Sequence, residues 1–102
     1  MSNKVYTVKL LPKAREDLEG IYRYITEDLC NAPAMLHLAD KFEEAFERIA
    51  AFPNSCAVCS PEPTYRKLIV DNYIAFYRVY EDIDTVIVFR VLYGMTDYEK
   101  YL

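Results

Sequence analysis

Glycine is scarce in this sequence, with only two among 102 residues. A Walker-type phosphate loop and a dinucleotide-binding fingerprint each need several closely spaced glycines, so both are excluded. Long flexible linkers are excluded for the same reason, and a chain of this length has room for one compact core only. We therefore expect a single domain over residues 1–102.

A surplus of basic residues is also missing. The chain has 12 Lys and Arg against 16 Asp and Glu, which gives a net charge of −4 and a pI near 4.9. Proteins that bind nucleic acid through its phosphates usually have a basic surplus or a basic face. Non-specific binding to nucleic acid is therefore disfavoured, while a local basic pocket stays open as an alternative.

Long apolar runs are absent too, so neither a signal peptide nor a membrane span is expected. Three cysteines are an odd number and too few for a disulfide framework, which favours a cytoplasmic protein. Cys56 and Cys59 have the spacing of a metal knuckle or a redox pair, but further zinc ligands would have to come from Cys30 and His37 in the predicted helices. We predict no metal, no cofactor and no membrane partner, and we assign no role to the pair.

The N-terminal half has the pattern of a strand followed by two helices. Val5–Leu11 is a short apolar run, and Pro12 suits the first turn of a helix. Asn31 and Pro33 mark the break before a second helix, which Pro53 ends. The apolar residues recur every three or four positions, at Ala14, Leu18, Ile21, Ile25 and Leu29 and then at Met35, Ala39, Phe42, Phe46 and Ile49.

The C-terminal two-fifths has the pattern of strands. We interpret residues 53–64 as a loop, followed by strands over 66–70, 73–80 and 85–93 that are rich in β-branched and aromatic residues. Turns at 71–72 and 81–84 separate these strands. The order β-α-α-β-β-β predicts an α+β fold, in which an N-terminal strand and a helical hairpin pack on an antiparallel sheet. A short C-terminal helix is compatible with the last residues.

Both faces of the last two predicted strands are apolar. Alternation places Arg78 with Ile74, Phe76 and Tyr80 on one face of the 73–80 strand. On the 85–93 strand, strict alternation separates Val86, Val88, Arg90 and Leu92 from Ile87, Phe89, Val91 and Tyr93. Two helices cover only one face of such a sheet, so the other face is expected to be an interaction surface.

The ordered set of motifs resembles the RelE/ParE superfamily of toxins from type II toxin–antitoxin systems. Residues 65–79, 86–92 and 93–98 match its Arg-x-Leu strand, its Tyr-x-Ile/Val-x-Tyr strand and its last strand with a terminal Gly and Asp. Residues 12–18 and 21–25 match its first helix, and the similarity covers almost the whole chain. The resemblance implies a cognate antitoxin as the partner.

Within the superfamily, RelE-like members cut mRNA on the ribosome, and ParE-like members poison DNA gyrase. This sequence has Met95 and Thr96 after Gly94, where the nuclease pattern has an arginine, and it has no histidine in the C-terminal strands. RNA cleavage needs a base, an acid and a stabilising cation. We therefore favour the ParE-like branch, of the plasmid stabilisation type, which arrests growth by acting on gyrase or another protein. The alternatives are a ribosome-dependent mRNA interferase and an inactivated, non-enzymatic binding module, so enzyme activity is left open.

The resemblance also suggests site residues. If the protein is a nuclease, the catalytic candidates are Arg66, Lys67, Tyr73, Arg78 and Arg90. For binding the target or the antitoxin, the candidates are Arg66, Tyr73, Tyr77, Arg78, Arg90, Tyr93, Asp97 and Tyr98. The competing structural explanations are a charged strand edge, arginines at a rim, and an Asp97 that fixes the C-terminal turn. A homodimer formed through the uncovered face is a further expectation.

Overall fold

A computed structural model of the chain describes residues 4–61, 64–96 and 98–101. The helices are α1 (Pro12–Arg23), which continues as one wider π-helical turn over Tyr24–Asp28, and α2 (Ala32–Ala51). The strands are β1 (Thr7–Leu10), β2 (Val58–Pro61), β3 (Thr64–Val70), β4 (Tyr73–Tyr80) and β5 (Thr85–Tyr93). Short 3-10 turns cover Glu81–Ile83 and Tyr98–Tyr101. The α+β class predicted from the sequence is confirmed.

The helix boundaries follow from local chemistry. Pro12 lies in the first turn of α1, where backbone N–H groups have no acceptor within the helix. The lack of an N–H in proline therefore removes no hydrogen bond there. After the π-helical turn, Cys30 adopts a left-handed conformation with φ 49°, and the chain reverses there. Asn31 caps α2, because its side-chain oxygen accepts a hydrogen bond of 3.1 Å from the N–H of Ala34. The predicted break and cap between the helices are therefore confirmed.

The sheet has five strands in the order β1-β5-β4-β3-β2. β1 lies parallel to β5, and the remaining neighbours are antiparallel, so the sheet is mixed rather than purely antiparallel as predicted. The predicted loop over residues 53–64 was wrong for residues 58–61, which form the edge strand β2, and for Thr64, which begins β3. The strand β2 is short and contains a proline, so the sequence pattern did not distinguish it from a loop.

The core lies between the helices and one face of the sheet. The helices contribute Leu38, Phe42 and Ile49, and the strands contribute residues such as Val86 and Val88, all nearly or completely buried. Packing of these apolar side chains fixes the position of the helices on the sheet. None of the helices in the described part of the chain is both long and apolar enough to cross a membrane.

Candidate functional site

The face of the sheet opposite the helices, which we call the outer face, corresponds to the surface that the sequence predicts as an interaction site. Alternate β4 residues from Tyr73 to Val79 belong to the helix-covered core, so Arg78 and its alternate neighbours lie on the outer face, as predicted. The outer face consists of Lys9 on β1, Tyr65, Lys67 and Ile69 on β3, Ile74, Phe76, Arg78 and Tyr80 on β4, and Ile87, Phe89, Arg90 and Leu92 on β5.

A β-bulge in β5 changes the faces that strict alternation predicts. Phe76 lies opposite Arg90, but the next residue of β4, Tyr77, lies opposite Val88. Phe89 is therefore an extra residue in β5, and the side chains beyond it change face. Val91 consequently joins Val86 and Val88 in the core, whereas Leu92 lies on the outer face. The predicted faces of residues 90–93 were wrong for this reason.

Three aromatic rings form a cluster at the centre of the outer face. The ring of Tyr65 contacts Phe76 at a centroid distance of 6.3 Å and Phe89 at 5.6 Å, both edge to face. Phe76 and Phe89 are 6.4 Å apart. Such pairs hold one another in fixed orientations. The bulge that adds Phe89 therefore helps to build a rigid apolar centre on this face.

The charges of the molecule are separated between its two layers. The five strands contain five basic residues and no Asp or Glu, whereas the segment 12–51 contains nine acidic and five basic residues. The outer face has four of the strand cations, Lys9, Lys67, Arg78 and Arg90. The guanidinium of Arg78 lies 5.5 Å from the ring centre of Tyr80. An acidic protein thus presents a locally basic, aromatic face.

Arg90 does not extend freely from this face, because it forms a bidentate pair with Asp17 of α1. Its Nε and Nη2 donate hydrogen bonds to the two carboxylate oxygens at 2.8 and 3.1 Å. The side chains are only 14% and 12% exposed, and this hydrogen bonding raises the pKa of Arg90. The ring of Tyr101 lies 5.0 Å from the guanidinium carbon. The geometry is that of a structural pair rather than a free catalytic cation.

Of the other predicted cations, Arg66 is also engaged within the protein. Its Nη1 donates a hydrogen bond of 2.7 Å to the carbonyl oxygen of Cys56, and the side chain is half-buried. Lys67 lies opposite Phe76, and both it and Arg78 lie on the outer face. The structure therefore brings three of the five nuclease candidates to this face, Lys67, Arg78 and Arg90, of which Arg90 is held by Asp17.

The predicted tyrosines lie on the opposite side of the sheet. Tyr77 is completely buried, and its hydroxyl donates a hydrogen bond of 2.8 Å to the carbonyl oxygen of Pro53. Tyr73 packs between Phe42 and Tyr93. Burial raises the pKa of both Tyr73 and Tyr77 above that of a free tyrosine. Neither hydroxyl is placed to act on a molecule bound to the outer face.

A second surface feature is a groove between α1 and the end of β5, with a volume of about 690 Å³. β1 ends at Leu10, whereas β5 continues to Tyr93, so the last residues of β5 have no neighbouring strand on that side. Asp17 covers part of this edge by accepting a hydrogen bond of 2.9 Å from the N–H of Val91. The groove is lined by Glu16, Asp17, Gly20, Ile21, Tyr24, Tyr73, Val91, Leu92 and Tyr93.

Comparison with known proteins identifies the family. A sequence model described as the ParE toxin of the type II toxin–antitoxin system parDE matches residues 8–98. The chain belongs to the ParE toxin family. It is therefore a toxin of a type II toxin–antitoxin system, and the family predicted from the strand motifs is confirmed. No curated protein sequence matches the chain.

Two solved structures have a similar fold. One is a chromosomal ParDE toxin–antitoxin system from P. aeruginosa, with a TM-score of 0.73 and 21% identity over 90% of this chain and 98% of the other. The second is the toxin–antitoxin complex RelBE2 from Mycobacterium tuberculosis, with a TM-score of 0.62 and 23% identity over 87% of this chain and 98% of the other. At these identities the likeness establishes the fold.

The remaining predicted residues of this ParE-family chain are near its C-terminus. Asp97 lies outside the described residues, so its predicted role stays a prediction. Tyr98 begins the last 3-10 turn. Tyr93 is half-exposed beside Tyr73, at the edge of the groove rather than on the outer face.

The three cysteines form no disulfide bond among the described residues. Cys30, Cys56 and Cys59 are free thiols, and burial raises the pKa of Cys59. No group of three or more metal-ligating side chains occurs among the residues that the structure describes. The pair Cys56 and Cys59 therefore stays without an assigned role.

Sequence reasoning did not identify Asp17, Gly20 or Tyr24 as site residues. In the sequence Asp17 is one of several acidic residues near the start of a helix, yet in the structure it pairs with Arg90, 73 positions further along the chain. One signal was available for Gly20, because glycine is unfavourable inside a predicted helix and needs a reason there.

Proposed function

We propose that this toxin arrests growth by binding a protein target, DNA gyrase or a similar enzyme, through its outer face, and that a cognate antitoxin neutralises it. The composition of the outer face supports this proposal. It combines a rigid aromatic cluster with Arg78, and aromatic residues and arginine are the residue types enriched at protein-binding surfaces.

Cleavage of mRNA has weaker support, because the outer face lacks an evident acid–base pair among the described residues. Lys67 and Arg78 supply positive charge, but the side chain of Arg90 is held by Asp17. The candidate base Tyr73 lies on the other side of the sheet. Its pKa is raised, so its hydroxyl is less able to lose its proton near neutral pH and act as a base.

The antitoxin partner is supported by the two structural neighbours. One is described as a ParDE toxin–antitoxin system, and the other as the RelBE2 toxin–antitoxin complex. Their folds match 90% and 87% of this chain, which supports the expectation of an antitoxin partner here. We expect the antitoxin to be encoded by a small reading frame next to the toxin gene.

The test is controlled expression in bacteria without the antitoxin. Wild-type toxin should stop growth and induce the DNA-damage response, and the purified protein should inhibit supercoiling by gyrase. The double variant Lys67→Gln/Arg78→Gln should lose most of the toxicity, because it removes two outer-face cations. The matched control Lys13→Gln/Arg15→Gln changes two exposed cations on α1 and should remain toxic.

Three results would count against the proposal. Normal growth with wild-type toxin would indicate an inactivated binding module. Cleavage of ribosome-bound mRNA, without a DNA-damage response, would indicate an mRNA interferase. Equal loss of toxicity in the double variant and its control would show that overall charge, and not the outer face, determines the activity. Relief of toxicity by the neighbouring gene product tests the antitoxin separately.

A further inference from the structure

We propose that the C-terminal 3-10 turn, Tyr98–Tyr101, is a reversible cover on the outer face, and that the target has to displace it in order to bind. This inference rests on the proposed function, because it takes the outer face as the surface that binds the target. It adds a regulation of that surface, since the free toxin occupies part of its own binding face.

The first argument is the path of the chain after β5. The N–H of Thr96 donates to the carbonyl of Tyr93 at 2.9 Å, which closes a turn directly after the strand. If β5 continued as an extended strand, Tyr101 would lie about 36 Å from Arg90. Instead, the centre of the Tyr101 ring lies 5.0 Å from the guanidinium carbon of Arg90. The C-terminal segment therefore folds back onto an outer-face residue of β5.

The second argument is the pattern of burial on the outer face. Only two of its residues are buried, Phe76 at 0% and Leu92 at 9% exposure, and neither belongs to the helix-covered core. Both are neighbours of Arg90, because Phe76 lies opposite it and Leu92 follows two positions later on the same face. The outer face is thus most covered around the residue that the C-terminal turn contacts.

The contact is weak enough to be reversible. A 3-10 turn of four residues has little stability of its own. Tyr101 remains 49% exposed, and a cation–π contact at an exposed site stabilises only modestly. Arg90 does not depend on the turn, because Asp17 holds its guanidinium through two hydrogen bonds. Displacement of the ring would therefore open the face and leave Arg90 in place.

The contact also indicates the chemistry of the target segment. Guanidinium groups stack on aromatic rings, and Tyr101 supplies such a ring in the free toxin. A target with an aromatic side chain can take the same position over Arg90, beside the rings of the outer face. The affinity for this target is lowered by the fraction of time for which Tyr101 occupies the position.

The experiment measures gyrase binding by three full-length toxins in calorimetric titration. Tyr101→Ala removes the covering ring and should bind gyrase roughly threefold more tightly than the wild type. Phe52→Ala removes an exposed aromatic ring at the end of α2 and should bind like the wild type. Circular dichroism checks that both variants fold, which is expected because both side chains are exposed.

An anionic aromatic dye, anilinonaphthalene sulfonate, tests the cover without the target, because it matches a basic and aromatic face. Tyr101→Ala should bind the dye roughly threefold more tightly than the wild type and Phe52→Ala do. The gain should disappear when Lys67→Gln and Arg78→Gln are added to Tyr101→Ala. A gain that persists in this triple variant would place the dye elsewhere and overturn the proposal.

The two titrations separate the cover from the proposed function. If Tyr101→Ala binds gyrase and the dye no more tightly than the wild type, the cover proposal is wrong, even where the outer face binds gyrase. If no variant binds gyrase but the dye gain is seen, the gyrase proposal fails and the turn is still a cover of the outer face. If Tyr101→Ala gains dye binding but binds gyrase more weakly, the ring belongs to the binding surface, and its assignment as a competing cover is overturned.

Discussion

Replacing Asp17 by alanine tests the structural role assigned to the pair of Asp17 and Arg90. The carboxylate accepts three hydrogen bonds, two from the guanidinium of Arg90 and one from the N–H of Val91. The substitution leaves the Arg90 charge, which is 14% exposed, without its partner, and it also uncovers the edge of β5. We expect Asp17→Ala to destabilise the fold strongly.

The magnitude follows from the burial of the pair. Removing one partner of a buried ion pair costs about 3–5 kcal/mol, because an uncompensated charge remains. The slight exposure of both side chains and the better helix propensity of alanine place the expected loss near the lower end, at about 3 kcal/mol. For a domain of this size, that loss lowers the melting temperature by roughly 12–24 °C.

The assay is urea unfolding of the wild type, Asp17→Ala, Arg90→Ala and the double variant. Arg90→Ala should cost less than Asp17→Ala, because Asp17 keeps its hydrogen bond to Val91. The double variant should be more stable than the sum of the single losses predicts, by about 2 kcal/mol. Glu19→Ala, an exposed carboxylate on the same helix, is the control and should change stability by about 0.5 kcal/mol or less.

Additivity would refute this reasoning. If the losses of the two single variants sum to that of the double variant within about 0.5 kcal/mol, the two side chains do not interact energetically. Arg90 would then be free of Asp17 in solution, and its role as a candidate functional cation would have to be reconsidered.

Two further predictions concern stability. Burial raises the pKa of Tyr77, so the folded state keeps the phenol proton to higher pH than the unfolded state does. The free energy of unfolding should therefore fall above about pH 10, by up to 1.4 kcal/mol per pH unit for one group. Tyr77→Phe should reduce this slope in urea unfolding measured from pH 8 to 11. An unchanged slope would contradict the assignment. Asn31→Ala removes the cap of α2 and should cost about 1 kcal/mol in thermal unfolding, whereas Asn31→Ser should cost much less.

The element types and their order could be predicted because they depend on local patterns. Spacings of three and four residues mark the helices, and the caps at Pro12 and Asn31 are chemical features of single residues. The strand β2 could not be predicted in this way, because a four-residue edge strand has too few positions to show alternation. Its pairing with β3 depends on contacts across the sheet.

The site was harder to predict, because long-range contacts decide which side chains are available. The sequence gives no sign that Phe89 is an extra residue in β5, so the faces of Val91 and Leu92 could not be assigned. Arg90 has the residue type of a functional cation, and only the approach of α1 shows that Asp17 holds it. The face of Arg78 was predicted correctly because the extra residue lies in β5, so the residues of β4 alternate regularly.

The separation of charge gives this acidic protein a basic outer face whose charges act only at short range. The net charge of −4 and the acidic helices repel a polyanion at long range. At contact, however, the fields of Lys67 and Arg78 dominate, since screening limits the influence of distant charges to about 8–10 Å at physiological salt. Such a surface disfavours non-specific attraction of nucleic acid but stabilises a partner that already fits the aromatic cluster. Its binding should therefore depend on shape first and on salt only weakly, unlike phosphate-driven binding.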